Sequence, residues 1–206
     1  HEAGVDRTLI RETLLSHKGI DQVYPFRFVA AARACPPLEP IIDEALHQKI
    51  ASMAHYKGTT LVVVDTSGSM ATPLSAKSDL TRLDAAAALA SIIKGDTIRT
   101  FAYGTTIKEV PTRRGMAGID QLRNTNVGMG TQLARAMAFI NPIPHDRLIV
   151  ITDEQSRPGE FNPVCPHAYL INVASARNGV GYGHNWVHID GFSENTLRFI
   201  HEYEKE

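Results

Sequence analysis

Leu61-Val62-Val63-Val64-Asp65-Thr66-Ser67-Gly68-Ser69 is the stretch on which the fold turns. Four consecutive apolar residues, three of them β-branched, suit a strand buried on both faces, as parallel sheets require. A carboxylate and a run of small polar residues follow, which is how a strand hands over to a loop. Outward from this point the same rhythm recurs. Short apolar runs stand at 97–103, 148–151, 168–173 and 186–189, and between them lie helix-like stretches at 83–94, 119–123, 131–140 and 194–203. Alternating strands and helices predict an α/β fold, a three-layer, doubly wound, mostly parallel sheet of Rossmann-like type. Thr106 to Val110, close behind Tyr103-Gly104, suits an antiparallel edge strand in a hairpin.

Residues 1–57 have a different texture and read as an N-terminal helical extension, with the boundary at Lys57-Gly58. Val5, Leu9, Ile10 and Leu14 share one helical face, and Gly19 is a stop signal. Pro25 can open a helix over Phe26 to Ala34 that Pro36-Pro37 must end. Pro40 opens a third, in which Ile42, Leu46, Ile50 and Met53 form an apolar stripe, and which is expected to run from Ile41 to Tyr56. Helices this short bury too little surface to stand alone, so they are expected to dock on the rest. Beginning at His1 rather than Met, the chain reads as a fragment or processed product.

The chemistry gathers at strand ends. Asp65, Ser67 and Ser69 form a D-x-S-x-S at the carboxyl end of the first strand, the edge where open parallel sheets bind ligands. Gly128-Met129-Gly130-Thr131 is expected to open a helix, and Leu148 to Ile151 runs into Thr152-Asp153. If the strands ending at Asp65 and Asp153 are neighbours, two carboxylates and the hydroxyls of Ser67, Ser69 and Thr131 converge. Five oxygen donors without Cys or His suit one hard cation, Mg²⁺ or Mn²⁺, rather than Zn²⁺. The carboxylates balance the divalent charge, and one coordination position is left to accept an anionic oxygen from a partner. The plainer reading is a strand-to-loop turn, since Gly and Ser favour turns in any case.

These residues resemble the metal-ion-dependent adhesion site of the von Willebrand A domain, and the resemblance covers roughly residues 58–206. It implies that Ser67, Ser69 and Thr131 contact the metal directly, while Asp65 and Asp153 hold it directly or through water and orient the hydroxyls. The segment Tyr24-Pro25-Phe26-Arg27-Phe28-Val29-Ala30-Ala31-Ala32-Arg33, with the helix after it, is similar to the end of a TROVE domain. The closing Asp190-Gly191-Phe192-Ser193, with Leu197, Phe199 and Ile200, resembles the last segment of the Ro autoantigen family, including its bacterial relatives. In that family a ring of helical repeats binds small structured RNAs outside and passes single-stranded ends through its cavity. About 57 helical residues cannot close such a ring, so small noncoding RNA is expected to be bound only through the parent protein's ring. No RNA-contacting residue is assigned. Prolines at 158, 163 and 166 further imply that a helix common in A domains between Asp153 and Ala168 is absent or reduced, exposing one side of the sheet.

The function expected is therefore non-enzymatic: metal-bridged recognition of an acidic or phosphate group on a protein or other ligand. One alternative is a metal-dependent phosphohydrolase, but enzymes of the haloacid dehalogenase type place a second Asp where this chain has Ser67, and no catalytic lysine adjoins the motif. Another is a structural module with a vestigial metal site. A net charge of −1, from 21 basic and 22 acidic residues, excludes a globally cationic nucleic-acid binder. Arg99, Lys108, Arg113, Arg114 and Arg123 read as a solvated surface hairpin before an RNA contact. Cys35 and Cys165, far apart and outside any metal-binding spacing, read as reduced thiols of a cytoplasmic protein. His167, His184 and His188 read as ordinary histidines, and Asn178 to Gly183 as a flexible loop, because its G-x-G does not open a helix after a strand. No run reaches the roughly 18 apolar residues of a membrane helix, and the first ten residues lack the order of a signal peptide, so no membrane is expected.

Overall fold

The computed structural model describes residues 4–16, 20–75, 78–153, 162–174 and 185–205. Its centre is a six-stranded sheet of β1 (His55–Asp65), β2 (Lys94–Tyr103), β3 (Ile107–Val110), β4 (Arg147–Thr152), β5 (His167–Asn172) and β6 (Val187–Asp190), in the order β3-β2-β1-β4-β5-β6. β3 runs antiparallel to β2, and the other pairs are parallel. The chain winds from β1 to one edge, then returns past β1 to β4 and winds to the other. A crevice therefore opens between β1 and β4 at their carboxyl ends. The expected fold class holds, with the hairpin strand at the edge.

Alternation along the strands feeds two cores. Leu61 and Val63, with Phe101, Leu148, Val150 and Leu170, meet Leu133, Met137 and Ile140 of α6 (Leu133–Ile140). Val62 and Val64, with Ile149, Ile151 and Ile171, belong to a larger core on the opposite face. There lie α4 (Arg82–Ser91), α5 (Gly115–Arg123) and α7 (Glu194–Tyr203). The helix expected to be absent or reduced between Asp153 and Ala168 falls largely on residues 154–161, outside the described residues, as do His184 and the loop at 178–183. No helix among the described residues is long and apolar enough to cross a membrane.

The N-terminal helices dock as expected. α2 (Pro25–Ala34) buries Phe28, Val29 and Ala32 in the larger core, and α3 (Glu39–Ser52) buries Ile42, Leu46 and Ile50. α1 (Arg7–Ser16) sits at the margin: Val5 precedes it, Leu9 is exposed, and it is held by Leu14, Leu15 and an Arg11–Glu44 ion pair. Charged groups tie this segment to the remainder. Arg33 of α2 and Arg123 of α5 both reach Asp84 on α4, and buried Lys49 of α3 lies 3.0 Å from Glu194 of α7.

Several element boundaries differ from expectation: α5 begins at Gly115 rather than Ile119, β2 at Lys94 rather than Thr97, and three others bear on the packing or the site. α3 stops at Ser52 rather than Tyr56, since His55 and Tyr56 pair with Lys94 and Gly95 in the sheet. Tyr56 is buried, and its hydroxyl donates to the Leu197 carbonyl at 2.7 Å. α4 ends at Ser91 because β2 begins at Lys94. α6 begins at Leu133, so Thr131 precedes that helix instead of opening it.

The β1–β2 register shifts between Tyr56 and Thr59, where Gly58 has φ +75°. A Cβ at Gly58 would run into the Asp146 carboxylate, which accepts the Thr59 amide at 2.7 Å. Gly58→Ala is expected to lose about 1–3 kcal/mol in urea unfolding, from the left-handed backbone and the displaced carboxylate together. A loss below about 0.5 kcal/mol, the scatter of ordinary surface substitutions, would show that the bulge tolerates a side chain.

Candidate functional site

β1 delivers Asp65 to the crevice and then stops. The Thr66 amide donates to the Tyr103 carbonyl at 2.8 Å, and the Ser67 amide turns back to Asp65 Oδ1 at 2.9 Å, an Asx-type turn. A 3-10 turn over Gly68–Ala71 follows and sets Ser67 Oγ and Ser69 Oγ 3.2 Å apart. Asp65 has no accessible surface, and its Oδ2 accepts the hydroxyls of Tyr103 at 3.0 Å and Thr152 at 2.7 Å. Burial pushes the Asp65 carboxyl above the usual carboxylate range. Hydrogen bonds from Ser67 and Thr152 oppose that rise, and the charge of Asp153 adds to it. The Tyr103 phenol is pushed well above its ordinary value by its own burial and by Asp65, so it stays a donor.

The glycine-flanked loop lies against this turn. The Gly68 amide donates to the Met129 carbonyl at 2.9 Å, the Gln132 amide to the Gly104 carbonyl at 3.1 Å, and the Gly130 amide to Thr105 Oγ1 at 3.0 Å. Gly104 is packed against the Gly128 carbonyl, so a Cβ there would force the two loops apart. Half-buried Thr131 is thereby carried to the side of the Ser67–Ser69 turn. Asp153 follows β4 beside β1, without accessible surface, and its Oδ2 accepts Arg82 Nη1 at 2.8 Å. Asp65, Ser67, Ser69 and Asp153 thus lie at one end of β1 and β4, and Thr131 is two residues past Met129, whose carbonyl the Gly68 amide ties to the turn. Ser67 and Ser69 touch, Asp65 is bonded to Ser67, and Asp153 acts on Asp65 through its charge.

Sequence reasoning missed three contributors. Tyr103 and Thr152 were legible in principle, because each ends a strand flanking β1, and polar residues at matching strand ends face the same crevice. Arg82, 71 residues from Asp153, carried no signal.

The donors present fit a hard divalent cation. Oxygens on adjacent vertices of an octahedron with bonds of about 2.1 Å are about 3.0 Å apart, close to the 3.2 Å between the two serine hydroxyls. Among the described residues no group of three or more His, Cys, Asp or Glu side chains gathers at this crevice or elsewhere, so a cation here would rest on two carboxylates and neutral hydroxyls. The other candidates find ordinary surroundings. Arg99 pairs with Glu109 across the β2–β3 hairpin at 2.7 Å and Arg123 with Asp84 at 3.2 Å. His167 begins β5 and His188 lies on β6, and both cysteines are free thiols.

The sequence matches no protein-family model and no curated protein. Among solved structures, the chain is similar to the Ro (RSR) protein of Deinococcus radiodurans, with a TM-score of 0.72 at 15% identity, over 95% of this chain and 47% of that one. The chain thus spans about half the length of that protein, and a likeness covering 95% necessarily takes in most of the N-terminal helices. An aerotolerance-related membrane protein of Bacteroides fragilis (TM-score 0.48, 13% identity, 71% of this chain and 97% of that one) is similar at a level that carries no argument. The same holds for the conserved hypothetical protein BatB of Bacteroides thetaiotaomicron (0.46, 15%, 71% and 97%).

Proposed function

We propose that the chain is a non-enzymatic, divalent-metal-dependent binding domain of a Ro-like protein, with residues 58–206 as a von Willebrand A domain and residues 1–57 as the end of a TROVE helical region. The observation that carries this reading is the pair of serine hydroxyls 3.2 Å apart at the crevice, flanked by two fully buried carboxylates. Ser67, Ser69 and Thr131 supply neutral oxygens, and Asp65 and Asp153 supply the balancing charge. One Mg²⁺ or Mn²⁺ bound there would offer an electrophilic position to an acidic or phosphate oxygen of a partner. Asp65 also organises the turn: its two oxygens hold the Ser67 amide on one side and the Tyr103 and Thr152 hydroxyls on the other. Ser at position 67 leaves the site without the second carboxylate that haloacid dehalogenase-type enzymes use, which favours holding a ligand over transforming it. Small structured RNA belongs to the parent's helical ring, and the free thiols of Cys35 and Cys165 suit a cytoplasmic setting.

Calorimetric titration with Mn²⁺ tests the reading. Saturable binding near one ion per chain is expected, weakened at least tenfold by Ser69→Ala, with small structured RNA leaving the isotherm unchanged. A flat isotherm with no rise in melting temperature would sink it, because an ion that binds only the folded state must stabilise that state. A second reading, a structural module with a vestigial site, is favoured by the Arg82–Asp153 pair. The same flat isotherm is its expected result.

A further inference from the structure

Asp153 is fully buried, its charge acts on the equally buried Asp65, and its Oδ2 accepts Arg82 Nη1 at 2.8 Å. Arg82 is held where it is. It is the first residue of α4, next to the N-cap Thr81, whose hydroxyl and amide form a reciprocal capping box with Asp84. Asp84 in turn grips Arg33 of α2 and Arg123 of α5. The Arg82 side chain is only 17% exposed, so water screens its charge weakly.

Resting on the metal-site reading above, we propose that Arg82 is a resident counter-charge of the second carboxylate and sets how tightly the site holds a divalent cation. Three effects share one sign. Arg82 occupies an oxygen of Asp153 that the ion would use. Its positive charge repels a divalent ion at the crevice. By neutralising Asp153 it also stabilises the metal-free protein, in which two buried carboxylates would otherwise face each other. Removing the guanidinium therefore raises the energy of the empty state and lowers that of the loaded one. Arg82 is a positioning and affinity-setting residue rather than a ligand, and the site is built to be filled only above a threshold concentration of free cation.

The test is Mn²⁺ titration calorimetry of the full chain, comparing wild type, Arg82→Gln and Arg82→Lys. Arg82→Gln is expected to bind at least tenfold more tightly than wild type, with Arg82→Lys, which keeps the charge, within about threefold of wild type. Equal or weaker binding by Arg82→Gln overturns it while leaving the metal site standing. No binding by any of the three removes both. If Arg82→Gln is unfolded in EDTA, its refolding midpoint in Mn²⁺ replaces the isotherm: recovery below the wild-type Kd supports the proposal, and failure to refold at any Mn²⁺ concentration overturns it.

Discussion

Arg147→Met is expected to lose about 3–5 kcal/mol of unfolding free energy, the range for breaking a buried ion pair and stranding one partner. Arg147 is buried at the start of β4, and four of the five N–H groups of its guanidinium donate hydrogen bonds. It forms a two-pronged pair with Glu204, donates to Thr60 Oγ1 at 2.9 Å and the Lys57 carbonyl at 3.2 Å, and lies 4.6 Å from the Tyr56 ring centroid. Tyr169 donates its hydroxyl to the same Glu204 at 2.9 Å. This cluster, at the sheet edge opposite the crevice, fastens the end of α7 to β1, β4 and β5. Urea unfolding measures it, and a loss under about 1 kcal/mol, typical of an exposed pair, would mean that water reaches the guanidinium after all. Burial pushes the Glu204 carboxyl up, but the hydrogen bond and charge of Arg147, with the Tyr169 hydroxyl, hold it below the ordinary value of 4.5. A carboxyl depressed in the folded state contributes stability that is complete above its unfolded value and lost as pH falls through the lower folded one. The deficit of Glu204→Gln relative to wild type is therefore expected at neutral pH and to shrink below about pH 4.5.

Asp65→Asn is expected to separate stability from metal response. In EDTA the change is small, because Asn keeps one acceptor oxygen for the Ser67 amide, and the loss of an acceptor for the Tyr103 and Thr152 hydroxyls is offset by removing a buried negative charge from beside Asp153. In Mn²⁺ at about a hundred times the wild-type Kd, wild type gains about 2.7 kcal/mol and the variant gains none. Thermal melts with and without Mn²⁺ read this difference directly. A variant that keeps the wild-type increment would remove Asp65 from the site.

The alternation of strands and helices was legible because it depends on local pattern, brief apolar runs separated by helix-like stretches, whereas the adjacency of β1 and β4 is long-range and entered the sequence reading only as a condition. The unbroken apolar run of β1 has one physical explanation, since Leu61 and Val63 face α6 while Val62 and Val64 face the larger core. The end of α3 was not legible because Tyr56 continues an apolar helical pattern, and only its pairing with Gly95 shows that the sheet takes it. Arg82, Asp84 and Lys49 were illegible for a different reason. Their partners lie 71, 51 and 145 residues away, and charge pairing at such separations leaves no periodicity to read.

α4 opens with Arg82 facing the crevice and Asp84 facing α2 and α5, two residues apart and so about 3 Å along the helix axis. One rigid turn is thus the fulcrum for both. A displacement of the N-terminal helices that moves Asp84 is therefore expected to move Arg82 with it, since one helical turn carries both.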